Sequence, residues 1–486
     1  MEPDKKLLNR LIFITPLICG TAGFLLEGGA LLDSVFSCVQ MYVLNYSDTP
    51  PNILVEIARW TAPLVSAYSV LLAASALRKK LRDRIRSRRK DSVAVYGPEE
   101  YTAPVLAALG SSGISGGDVP AGTKRHILLW DEDENIRFLE RSSKALAGSE
   151  VFIKSSSLPG QTAAGENVRI FCPEETAARL YWQRNCLYEA SRARDHRMKI
   201  VMIGAGRLAE EMISCALQIN IFSPDQRIEY HIFGGDPSYL KIHHELGGLQ
   251  DPVVFHEEQW TDCLPLLKEA ERIIVLQQEG QTGLLSGLLL ALAEKTIDVF
   301  SAGTAGEEIL GENERIRSFP WKDLAFEPRN ILSEVQYRRA KALNLRYAHL
   351  YSGVAETEEA LDSEWRKLDT FTRYSNISSA DYHEIRLAML RSMDMPEDPD
   401  RIPGDVMELL SELEHMRWCR YHLLNNWTQG TPENGKSKDS AKRIHVDLMP
   451  YDRLSEGEKQ KDRDSVRVLL ELDRWRPSST GRGTGL

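Results

Sequence analysis

None of the seven cysteines, at positions 19, 38, 172, 186, 215, 263 and 419, stands in a Cys-x-x-Cys pair. Structural zinc and a disulfide framework are both unsupported, as expected in a reducing cytosol, and no metal is expected. Lysine and arginine are missing from the whole stretch between Leu11 and Arg59, which excludes it as a cytoplasmic basic loop. A basic excess is missing from the remainder: residues 1–90 carry 13 basic and 7 acidic side chains, so a chain of net charge −10 has −16 after residue 90. Such a balance argues against a general electrostatic surface for nucleic acid.

What is present begins with a basic block. Residues 78–90, Arg-Lys-Lys-Leu-Arg-Asp-Arg-Ile-Arg-Ser-Arg-Arg-Lys, follow an apolar run from about Ile53 to Leu77. At about 1.5 Å per residue that run covers a hydrocarbon core of ~30 Å, and the block reads as its cytoplasmic stop. Lys5, Lys6 and Arg10 precede a second apolar run, Leu11 to about Leu32. The expectation is a multi-pass protein of the cell (inner) membrane, with two spans, both termini cytoplasmic and anionic lipid against the basic block. A cleaved signal peptide is the competing reading of the first run. Leu32 to Leu44 is too short to cross and is expected to be a re-entrant or interfacial helix. Glu56 and Arg59 are placed to pair at i, i+3, and Trp60 belongs in an interfacial belt. This span, short helix, span order resembles the two-span plan of potassium-channel subunits, although Asn45-Tyr-Ser-Asp-Thr-Pro-Pro51 stands where a Thr-Val-Gly-Tyr-Gly filter would be.

Residues 91–197 read as a degenerate α/β, Rossmann-like module. Its strand candidates are Ser92–Tyr96, His126–Trp130, Val151–Ile153 and Val168–Phe171, with Asp131 to Glu134 as a solvated turn. Met198 to Ile203 is a buried-type strand running into Gly204-Ala-Gly206-Arg-Leu-Ala209 and a helix. This is G-x-G-x-x-A in strand-turn-helix context: Gly204 allows the tight turn, Gly206 lets backbone approach a pyrophosphate, and phosphate would rest on the helix N-terminus. A second strand, Arg227–Phe233, ends in Gly234-Gly235-Asp236, where an acidic side chain suits a ribose hydroxyl. An empty, purely structural fold is the alternative. This stretch, residues 198–340 as a domain, resembles the nucleotide-binding domain of Trk-type potassium transport regulators, also found in RCK gating rings. The resemblance implies NAD(H) or an adenine nucleotide as ligand, contacted by Gly204, Gly206 and Asp236. Arg207 would reach phosphate, with a solvent-facing Arg at a helix start as the alternative.

Residues 341–475 differ in kind. Ser375-Asn-Ile-Ser-Ser-Ala-Asp381, Glu414-His-Met-Arg-Trp418, Trp427-Thr-Gln-Gly430 and Pro450-Tyr-Asp-Arg-Leu454 follow one another in a helical context. Their order resembles the ryanodine-receptor-type repeat, a small α-helical module. Glu414, His415, Arg417 and Trp418 are the candidate ligand residues, since Trp stacks on a base and Arg grips phosphate. The alternative has Trp418 and Trp427 in the core and Glu414 and His415 in structural hydrogen bonds. His415 has no metal-ligand companions at suitable spacing. Residues 476–486 read as a disordered tail.

The fold class expected is therefore membrane-anchored α/β plus α: two transmembrane helices, doubly wound Rossmann-type domains and a C-terminal helical repeat domain. The function expected is a ligand-sensing, channel- or effector-like membrane protein, plausible as a homotetramer, in which a nucleotide or nucleotide-derived metabolite controls the membrane region and ion, such as potassium, transport. A membrane-tethered scaffold for a partner protein is the alternative. An NAD(P)-dependent oxidoreductase is a third reading, but no Ser/Tyr/Lys or Cys/His catalytic grouping accompanies the glycine motif, so no enzyme is expected.

Overall fold

The computed structural model describes residues 5–162, 165, 167–277, 279–301, 313–433 and 435–472; the tail expected at 476–486 lies outside the described residues. The chain divides into two compact units, Met1–Lys90 with Pro120–Gly122, and Asp91–Val119 with Thr123–Leu486.

In the first unit, α1 (Lys5–Leu26), α2 (Leu31–Tyr42) and α3 (Ile53–Arg86) pack on one another. The first run ends early as a helix because Gly28, at φ +84°, turns the chain. Helix α2 is the short helix expected between the apolar runs. Helix α3 continues through most of the basic block, whose Arg and Lys are good helix formers. Asn52 caps it, accepting from the Leu54 and Val55 amides, and its Nδ2 donates to the Gly23 carbonyl at 2.8 Å. Gly20 lies so close to Cys38 that a Cβ would sit 2.1 Å from Sγ, so only glycine allows this approach of α1 and α2. Glu56 accepts from Trp60 Nε1 at 2.9 Å and lies 3.9 Å from Arg59. Among the described residues one helical segment, Ile53–Ser75, is long and apolar enough to cross a membrane, while Phe13–Leu26 is apolar but shorter.

The second unit holds two parallel sheets and a helical part. The first sheet runs β2 (Gly113–Ser115), β1 (Val93–Tyr96), β3 (Arg125–Leu128), β4 (Glu150–Lys154), β5 (Val168–Phe171). This is the 2-1-3-4-5 order of one doubly wound class. The loop after β4 closes on an internal carboxylate. Glu132, at the start of α4 (Glu132–Leu146), accepts from the amides of Ser156 and Ser157 and the hydroxyls of Ser155 and Ser157. Although burial opposes its charge, these bonds hold its carboxyl down at about 2. The acidic turn at 131–134 is thus an anchor as well as a solvated surface.

The second sheet has the order β8 (Val253–His256), β7 (Arg227–Phe233), β6 (Arg197–Ile203), β9 (Arg272–Val275), β10 (Ile297–Ser301), β11 (Ile316–Pro320), all parallel. That is the 3-2-1-4-5-6 Rossmann order, with the switch point between β6 and β9. One apolar core continues from this sheet through α5 (Pro173–Arg184) and α6 (Arg207–Ile219) into the C-terminal helices, joining Trp182, Met212, Ile232, Tyr382 and Leu413.

The helical part comprises α7 (Arg338–Ser352), α8 (Glu358–Lys367), α9 (Thr370–Ser392), α10 (Gly404–Leu424) and α11 (Glu456–Leu472). Its polar anchors to the sheets are buried. Arg179 of α5 donates to both oxygens of Asp381 on α9, at 2.6 and 2.8 Å, and to the Gln336 carbonyl. Arg420 of α10 meets Asp251 at 2.7 Å, and Tyr382 donates to the Ile221 carbonyl at 2.8 Å. Removing one member of such a pair strands a charge, at a cost of about 3–5 kcal/mol, whereas replacing both by apolar groups costs far less. Asp381→Ala is therefore expected to lower the denaturant midpoint of the full chain well beyond the double variant R179M/D381L. Equal losses would show that the pair is not what holds this contact.

Candidate functional site

The switch point of the second sheet presents the glycine turn. Gly204, at φ +147°, donates to the Phe233 carbonyl, and a Cβ there would sit 2.8 Å from the Gln277 amide nitrogen. Gly206, at φ +79°, has open space on its Cβ side and begins α6 without a side-chain cap. The Ala209 and Glu210 amides donate to the Gly206 carbonyl, and a helix start of this kind leaves its first amides without intrahelical acceptors. Asp236 is exposed at the end of β7, where the Ser238 amide holds its carboxyl below the usual range. Gly204, Gly206 and Asp236 thus share the carboxyl edge of the sheet. Arg207 is directed elsewhere. Its guanidinium meets Glu211 at 2.5 Å and Glu210 at 3.5 Å, beside a 520 Å³ cavity that Phe371, Tyr374 and Tyr421 also line.

The C-terminal candidates converge. Glu414, His415, Arg417 and Trp418, all on α10, line one cavity of about 320 Å³ together with residues of α7, α9, α11 and the Ser437–Asp447 loop. Glu414 is buried and accepts from Arg386 at 2.8 Å, Arg417 at 2.9 Å and Ser379 at 2.9 Å. Burial opposes its charge, and the guanidiniums of Arg417 and Arg386 overcome it and hold the carboxyl below its ordinary value. Arg386, Arg417 and Glu414 leave one net positive charge behind the cavity wall.

His415 meets two acceptors. Nε2 lies 2.8 Å from the Met449 carbonyl and Nδ1 lies 3.3 Å from Asp462. Both nitrogens therefore donate, as an imidazolium does. Burial works against that charge, but the hydrogen bonds to Asp462 and Cys419 raise the ring to about 10. His422, by contrast, is pushed down to about 3 by burial and is neutral.

Trp418 is half-buried. It stacks on His415 with centroids 5.6 Å apart and packs against His422 at 4.0 Å and His445 at 4.9 Å. Trp427 is buried instead, stacked on Phe371 at 5.3 Å. The two readings of this motif thus divide by residue: Glu414 and His415 make structural hydrogen bonds, Trp427 fills the core, and Trp418 lines the cavity.

Residues 399–472 match the family model of the RyR domain. The matched segment contains α10, α11 and the loop between them, hence most of the cavity wall. The Ser375–Asp381 motif, which supplies Ser379 to Glu414, lies ahead of the matched RyR segment. No curated protein matches the chain. One solved structure, described as the GsuK channel bound to NAD, is similar over 67% of this chain and 82% of that one, at 10% identity and a TM-score of 0.33. At that distance neither fold nor ligand carries over.

Some contributors were not foreseen from the sequence. Ser379 lies inside the Ser375–Asp381 motif but at one of its unspecified positions, Arg386 and Asp447 carry no motif that separates them from other polar helix and loop residues, and Asp462 sits in a charged helix whose buried side is set by tertiary packing.

Because the His415 value lies above the ordinary 6.5, its stabilisation is complete below about pH 6.5 and is lost as pH rises through about 10. The melting-temperature difference between the full chain and His415→Gln is expected to be greatest near pH 6 and to shrink toward pH 10. A difference independent of pH would refute the imidazolium assignment.

Proposed function

We propose that this protein is a ligand-sensing membrane protein whose RyR-domain cavity takes a nucleotide or nucleotide-derived metabolite and whose ligand state controls a two-span membrane region, in the manner of a channel or effector subunit. The observation that carries this reading is the cavity itself: within one 320 Å³ space Trp418 presents a ring beside the guanidinium of Arg417, held by Glu414, and the ammonium of Lys461, held by Glu458. In this proposal a base stacks on the ring, and phosphate competes with Glu414 and Glu458 for Arg417 and Lys461. The glycine turn at the switch point supports a second nucleotide position for NAD(H) or an adenine nucleotide, with Gly204, Gly206 and Asp236 as its contacts.

The membrane reading rests on the Ile53–Ser75 helix and the basic residues that follow it. The apolar Phe13–Leu26 helix supplies the second span in this proposal. With two spans per chain a pore requires several copies, and a homotetramer is the arrangement proposed. Anionic lipid faces the basic block. Control then requires that ligand bind one membrane state more tightly than the other.

The test uses the full chain in liposomes with ADP and NAD as probes. Trp418→Ala is expected to weaken binding about tenfold or more, since stacking on one ring is worth ~1–3 kcal/mol, and to abolish ligand-dependent potassium flux. Binding without any change in flux would favour the scaffold reading. Binding that survives both Trp418→Ala and Arg417→Gln would remove the RyR-domain cavity as the site.

A further inference from the structure

A third cavity, of about 270 Å³, lies where the edge strand β5 meets α7, α8 and α9. Its charged lining is unbalanced. Arg169, Lys341, Arg366 and Arg373 face it, against the carboxylates of Glu334 and Asp362. Glu334 accepts from Arg169 at 2.6 Å and from Lys341 at 2.7 Å, and Asp362 accepts from Lys341 at 2.7 Å. Glu150 also approaches Arg169, at 3.4 Å, from the far side. The two lining carboxylates are thus taken up by two of the cations.

Arg373 is different. It is buried, and among the described residues its hydrogen bonds go to backbone carbonyls, those of Trp365, Arg366 and Gln161, at 3.0 to 3.2 Å. These bonds tie the Gly160–Thr162 loop to the end of α8 and use three of the five guanidinium N–H donors. Burial opposes this charge, and the carboxylates of Glu334 and Asp369 offset it only from beyond hydrogen-bonding range, leaving two guanidinium N–H groups for a further acceptor. The same wall carries the Thr162 hydroxyl, whose Oγ1 is buried with no hydrogen-bond partner among the described residues. A polar atom left this way calls for an acceptor or donor from outside the protein.

We infer that this crevice is a binding site for a small oxyanion, of the phosphate or phosphate-monoester class, held by Arg366 and Arg373 with Thr162 as hydroxyl donor. Its volume admits a phosphoryl group with a short carrier. The site is separate from the RyR-domain cavity, and its occupancy would bridge the first sheet to α8 and α9 through the Gly160–Thr162 loop.

Isothermal titration of the full chain in neutral detergent, with inorganic phosphate and with glycerol 3-phosphate, tests the inference. Saturable binding is expected, weakened about tenfold by Arg366→Gln and severalfold by Thr162→Val, as fits loss of one charge-assisted and one neutral hydrogen bond. Neither substitution touches the Arg373 bonds to backbone, so unchanged melting of the unliganded variants checks that the fold persists. Tighter binding of glycerol 3-phosphate identifies an organic phosphate as the ligand; equal or weaker binding identifies the free anion. No saturable binding of either probe in the millimolar range overturns the inference, as does binding indifferent to both substitutions.

Discussion

The Arg179–Asp381 pair is the contact on which the second unit depends. Arg179 lies on the helix that follows the first sheet and packs beside the glycine-motif helix of the second, and Asp381 lies on the long helix of the C-terminal part. Its two short bonds, the Gln336 carbonyl and the face of Tyr337 at 4.6 Å surround one guanidinium with partners from separate segments. Nearby, Glu175 accepts from Tyr337, Tyr374 and the Gly160 amide. A desolvated network of this kind tolerates little displacement, because each unmade bond leaves a buried charge or dipole without a partner. The two sheets and the helical part accordingly fall within one compact unit, held by buried polar contacts on shared elements.

Helix α10 shows how that sharing works. One side carries Glu414, Arg417 and Trp418 into the RyR-domain cavity, while Arg420 reaches Asp251 beside the second sheet and the Leu424 carbonyl meets His243 at 2.6 Å. A ligand that shifts Arg417 acts on a helix already fastened to the Rossmann sheet. Arg207, at the start of the glycine-motif helix, faces α9 and α10 across the larger cavity. The two nucleotide positions proposed above are therefore connected through packed helices rather than through a loop.

How much of this was legible in the residues depends on the kind of constraint. Gly204 was readable because a tight strand-to-helix turn with positive φ and a close neighbouring chain admits only glycine. The grouping of Glu414, His415, Arg417 and Trp418 was readable from helical spacing, but the division of labour among them was not. Burial of Glu414 comes from Arg386 and Ser379 on another helix, far away in sequence. Arg207 illustrates the same limit: its position suggests phosphate, yet Glu210 and Glu211, one turn on, claim the guanidinium. The apolar run from Leu11 extends further in sequence than its helix, because Gly28 and Gly29 break it before Leu31. In Glu132 a charge run that reads as surface became an internal ligand of three serines, a tertiary event with no periodic signal.

The central claim is that the RyR-domain cavity is occupied by a nucleotide-derived molecule. Its most direct measurement is chemical: small molecules released on denaturing the purified full chain, identified by mass and compared with those from a Trp418→Ala, Arg417→Gln double variant. The account predicts a phosphate-bearing compound with a heteroaromatic ring from the native chain and its loss from the variant. The same compound recovered in equal amount from both proteins would contradict it.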